Sequence, residues 1–172
     1  MEALGALRSG VRRAYGIFLA YVIATVKELG TDRVLEVLSR TIRRRGSADG
    51  QELVSRLGLQ GRTDLEAGLA VYGAFLSDAE TEYQVVERSD RRATLKMSGC
   101  PIFDGYHAAG MTCDYLTENL CRNITLPLMT AVVSQVNPEL KVKLKKFRAS
   151  PDDFCLEELT LEPIAQKSGK EK

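Results

Sequence analysis

The sequence predicts an α+β fold in which N-terminal helices pack with a four-stranded antiparallel sheet, made of two hairpins separated by a long helix. Three observations carry this. Up to Asp78, apolar residues recur every three or four positions, the spacing of a helix face. After Asp78 the period falls to two, as in strands with one face buried. Helical and strand patterns are also segregated rather than alternating, which favours hairpins over parallel crossover units.

The elements follow in order. Val11, Tyr15, Phe18, Val22, Val26 and Leu29 form one stripe of a helix over residues 11–29, ended by Gly30. Thr31 or Asp32 caps a second helix through Val34, Leu35, Leu38 and Ile42, which closes on Arg43, Arg44 and Arg45 before Gly46. That arginine run reads as a solvated helix end rather than a phosphate site. Asp49 with Glu52 has the form of a capping box and opens a short third helix to Leu57; Thr63 with Glu66 repeats it for a fourth. The fourth carries Leu65, Leu69, Tyr72 and Leu76 on one side, with Gly68 and Gly73 allowing close packing. Residues 82–88 and 92–98 form a hairpin, with Ala93, Leu95 and Met97 facing one way. A helix from about Thr112 to Ser134 contains Pro127, which should end or kink it near residue 126. Beyond Asn137-Pro138, Leu140, Val142 and Leu144 alternate with lysines, and 154–162 is the return strand.

One domain accounts for the 172 residues: a helical part (1–79), a cysteine-containing ββαββ part (80–162) and a frayed tail (163–172). A net charge of +1 argues against a dedicated nucleic-acid binder. The apolar run Ala14–Thr25 is too short for a membrane span and lacks a following cleavage site, so it reads as a core helix. Four cysteines are too few for a disulfide scaffold, and reduced thiols in a cytoplasmic protein are expected.

The unusual chemistry lies between Gly99 and Arg122, with Cys100, Cys113, Cys121 and the single histidine, His107; Cys155 follows on the last strand. Four cysteines are not expected to share one zinc, because Cys113 and Cys121 are eight residues apart, ~12 Å along the axis of a predicted helix, and reach one ion only if that helix is broken between them. Cys100, Cys121 and Cys155 could bind zinc as three thiolates, with the fourth position taken by water, substrate or His107. Equally they could be free thiols in a pocket or small buried hydrophobes, the reading preferred for Cys113. Pro101 holds Cys100 extended at a strand end, where a thiolate could draw on the dipole of the helix beginning near Thr112. His107 is the candidate general base for Cys100, against a solvated role in its polar surroundings. Asp104 or Asp114 could orient it, or simply cap local helices.

Cys100-Pro101-Ile102, Gly110, Leu120-Cys121, Asn137-Pro138 and Asp153-Phe154-Cys155, with the upstream segment Gly50–Gly58, resemble the L-2-amino-thiazoline-4-carboxylic acid hydrolase-like proteins across residues 30–162. The resemblance implies hydrolytic opening of a small cyclic C–N (amidine or thiazoline-like) substrate, giving N-carbamoyl-cysteine. It assigns Cys100, Cys121 and Cys155, but not Cys113, to the site; His107 and Asp104 are candidates from the residues alone. Related cores occur in vinyl-4-reductase-type ligand-binding domains and TRAPP vesicle-tethering subunits, which implies helices packed on an antiparallel sheet. Those relatives also offer an alternative: a ligand-binding, redox-sensing or metal-sensing module without turnover. A third possibility is an assembly protein with buried thiols, forming a homodimer through its apolar N-terminal helix. The expected partner is a small molecule, with no nucleic acid or membrane involved.

Overall fold

The structure, a computed structural model, describes residues 2–108 and 114–162. Expectations placed on Gly110, Thr112, Cys113, the side chain of Asp114 and the tail from 163 lie outside the described residues. Helices α1 (Glu2–Leu29), α2 (Thr31–Arg56) and α3 (Leu65–Asp78) come first. Then follow β1 (Glu82–Arg88), β2 (Arg92–Gly99), α4 (Pro101–Ala108), α5 (Asp114–Leu120), a π-helical turn (Cys121–Thr125), α6 (Leu126–Val133), β3 (Leu140–Lys146) and β4 (Cys155–Leu161). Among the described residues no helix is long and apolar enough to cross a membrane.

Two expected helices, separated at Gly46, are one. α2 runs unbroken through Gly46 and Gly50 because both glycines face α6 at very short range. A Cβ on Gly46 would stand 2.6 Å from the Leu128 carbonyl oxygen, and one on Gly50 would overlap the Val132 carbonyl. The cost of glycine within a helix, about 1 kcal/mol each, is offset by backbone-close packing. Asp49 therefore caps nothing; it pairs with Arg45 one turn earlier, at 2.6 Å. Neither Thr31 nor Asp32 caps α2 through its side chain: Gly30, at φ 81°, makes the turn between α1 and α2 instead. For α3 the cap is Asp64 rather than Thr63, its Oδ1 accepting the Ala67 N–H at 3.0 Å. Gly68 and Gly73 do pack closely, against Leu140 and Tyr83.

Pro127 does not end its helix. It has no N–H for the Asn123 carbonyl and its ring crowds that group. The preceding turn accommodates it by widening, with the Leu126 N–H bonding to the Cys121 carbonyl five residues back.

The sheet order is β1-β2-β4-β3, all antiparallel, so the two hairpins join through β2 and β4. Ala93, Leu95 and Met97 are buried as expected, as are Leu140, Val142 and Leu144, against α3 and α6. A second cluster joins α1, α4 and the π turn through Leu19, Val22, Ile102, Tyr106, Leu120 and Ile124.

Candidate functional site

At the meeting of these two clusters is a cavity of about 30 Å³. Its wall includes Cys100, Cys121 and Cys155 together, with Glu157, Thr81, Thr117 and Thr125 among the other polar members and Met97, Phe103, Tyr106 and Met129 among the apolar ones. All three of these cysteines thus line one cavity, although they come from three different parts of the chain.

Each is positioned by local sequence. Cys100 follows the end of β2, immediately before Pro101, which is well suited to the first turn of α4 because its missing N–H has no helical partner there. The Cys100 carbonyl accepts the Asp104 N–H at 2.9 Å, while the amides of Ile102 and Phe103 hydrogen-bond its sulfur. The N-terminus of α4 thus lies at Cys100 itself. Cys121 opens the π turn, with the Thr125 hydroxyl as a hydrogen-bond partner. Cys155 begins β4 opposite Met97, its Sγ accepting the Arg148 N–H at 3.4 Å.

The alternation that turns Cys155 inward also turns Glu157 and Leu159 inward. Glu157 sits between Leu95 of β2 and Leu144 of β3, in what is otherwise an apolar row. The hydroxyl of buried Tyr72, from α3, donates to its Oε2. Burial pushes the carboxyl up to about 7, with the tyrosine hydrogen bond pulling the other way. Burial also pushes Cys100 up to about 11, partly opposed by its two amide donors. Cys121 is raised well above the thiol range by burial and then by neighbouring Glu157 and Cys100; Cys155 is raised by burial.

Two expected site residues are not brought to the cavity. His107, the proposed base, is exposed on the last turn of α4, stacked on Phe103 at 6.1 Å between ring centroids. Seven residues separate it from Cys100, ~10 Å along a helix. Asp104 is half-buried on α4 and does not line the cavity. The thiolate zinc set also needs correcting. Among the described residues no group of three His, Cys, Asp or Glu side chains could hold a metal ion.

Sequence reasoning missed Glu157 and Tyr72 as site residues. The signal was available: an acid at the central inward position of Cys-Leu-Glu-Glu-Leu must lie in the core or leave the strand pattern.

The family model for L-2-amino-thiazoline-4-carboxylic acid hydrolase matches residues 11–156. Comparison with curated proteins gives no match. Among solved structures, the chain is similar to a trafficking protein particle complex subunit 3 from Naegleria fowleri, covalently bound to palmitic acid. That similarity has 14% identity and a TM-score of 0.59 over 90% of this chain and 96% of the other, and it establishes a shared fold alone.

Proposed function

Because the chain belongs to the L-2-amino-thiazoline-4-carboxylic acid hydrolase family, we propose that it hydrolyses a small amidine-like ring in the sulfur-lined cavity, with Glu157 as general base. The observation that carries this is a buried carboxyl, held by Tyr72 and titrating at about 7, in the same wall as three thiols. A general base works best when its pKa lies near the operating pH.

Magnitudes favour water over a cysteine nucleophile. With a pKa of about 11, Cys100 is thiolate in only ~1 molecule in 10⁴ at pH 7. Glu157 is about half ionised there. In the proposed step, water oxygen bonds to the amidine carbon as Glu157 takes a proton. The ring C–S bond then breaks, and the two protons of water end on the ring nitrogen and the departing sulfur. Cys100, Cys121 and Cys155 shape the pocket around the reacting carbon, and Tyr72 orients the base.

The test is chromatographic detection of N-carbamoyl-cysteine from L-2-amino-thiazoline-4-carboxylate. Glu157→Gln should lower turnover by about 10²–10⁴-fold. Undiminished turnover in that variant would remove Glu157 from the mechanism, and no product from the unaltered protein would remove the hydrolase reading. A second reading, a ligand-binding module without turnover, is supported by the largely hydrocarbon wall and by the palmitic acid carried by the fold neighbour. It predicts ligand-dependent stabilisation with no product formed.

A further inference from the structure

Arg148 takes a positive charge into the interior with only 1% of its surface exposed. Nε donates to the Ser150 carbonyl at 3.1 Å, and Nη2 donates to the carbonyls of Ser98, at 3.3 Å, and Pro151. These are dipoles, not counter-charges. Asp153, on the same connection between β3 and β4, is engaged by Lys146 and the Ala149 N–H. Nη1 is buried and has no hydrogen-bond partner among the described residues. A buried guanidinium with an idle nitrogen is costly unless an anion completes it.

Its location suggests where that anion would lie. The guanidinium carbon stands 4.6 Å from the centroid of the Phe103 ring, and Phe103 is a cavity wall. The Arg148 main chain bonds to Cys155, and its neighbour Phe147 packs edge-on to Phe103 at 5.9 Å; both are wall residues as well. Arg148 does not itself line the cavity, but it touches three residues or neighbours of its wall: Phe103, Cys155 and, next in the chain, Phe147. The cavity itself, at about 30 Å³, has room for about one water molecule but not for a ring-shaped ligand.

We propose that Arg148 anchors a ligand carboxylate through Nη1, which the ligand reaches when the Phe103 ring against it moves aside. The same movement enlarges the cavity enough to admit the ligand. A single positive charge neutralises one carboxylate, whereas a phosphate dianion would leave a charge stranded in hydrocarbon. This deepens the hydrolase reading by naming the residue that would recognise the ring carboxylate: Arg148 binds it, and the amide analogue is rejected.

The experiment is calorimetric binding of L-2-amino-thiazoline-4-carboxylate and its 4-carboxamide in the Glu157→Gln background, which prevents turnover. The carboxylate should bind about tenfold tighter or more, since charge-assisted hydrogen bonds are the strong class. Arg148→Met should abolish the preference. Should that variant fail to fold, Phe103→Leu decides, because it thins the wall, keeps Arg148 and should retain the preference. Equal affinities with Arg148 present, a preference surviving Arg148→Met, or no binding of either compound would each overturn the proposal. A carboxylate preference without product from the unaltered protein leaves Arg148 standing and removes hydrolysis; product without preference does the reverse.

Discussion

Replacing Glu157 by glutamine gives a test that needs no substrate. The carboxyl titrates at about 7 in the fold, against an ordinary 4.5, because its charged form is desolvated between Leu95 and Leu144. The native state therefore holds the proton more tightly than the unfolded chain. The associated stability is fully present below pH 4.5 and is lost as pH rises through 7. At 1.36 kcal/mol per pH unit, the loss between those limits is about 3 kcal/mol. Glutamine can still accept the Tyr72 hydrogen bond and does not titrate, so any fixed cost of the amide is the same at every pH. The stability of the unaltered protein minus that of Glu157→Gln should therefore fall by about 3 kcal/mol from pH 4.5 to 8, equivalent to a relative change in melting temperature of about 10 °C for a chain this size. Urea unfolding followed by circular dichroism at four pH values would measure it. A difference constant with pH, or one growing as pH rises, would refute the burial argument and with it the choice of base.

Three further outcomes follow from the same structure. Because Glu157 must be ionised to accept a proton, turnover should rise with pH and level off above an inflection near 7; a rate that falls across that range contradicts its role. Cys100, Cys121 and Cys155 should alkylate slowly at pH 7.5 in the native protein and rapidly in urea, as mapped by peptide mass spectrometry, with fast native labelling of Cys100 inconsistent with a pKa of about 11. Gly50→Ala should destabilise by about 1–3 kcal/mol in urea unfolding despite its better helix propensity, since its Cβ would press on the Val132 carbonyl; a gain of stability would mean that α2 and α6 are not in backbone contact.

Much of the fold could be read from the chain because the hydrophobic period is a local quantity. The change at Asp78 located the first hairpin, and Leu140, Val142 and Leu144 showed which face of β3 is wet. What could not be read depended on partners distant in sequence. Gly46 and Gly50 look like breakers until α6 lies against them. Cys100, Cys121 and Cys155 could be grouped because each stood at a recognisable boundary or motif. Glu157 was read only as part of a strand: the alternation of β4 marks its inward face, but Tyr72, the partner that tolerates its burial, is not visible within β4 itself. Arg148 was invisible for a related reason: its partners are main-chain carbonyls, which any residue type can supply.

The widened turn ahead of Pro127 also sets which side chains look inward together. Thr117, Cys121, Thr125 and Met129 step by four and all line the hollow. On an unbroken spiral of 3.6 residues, each such step drifts by ~40°, so three would carry the sulfur of Met129 about a third of a revolution from Thr117. The surplus residue absorbs most of that drift and keeps the column straight. An imino acid outside the pocket thereby governs the alignment of the pocket's longest wall.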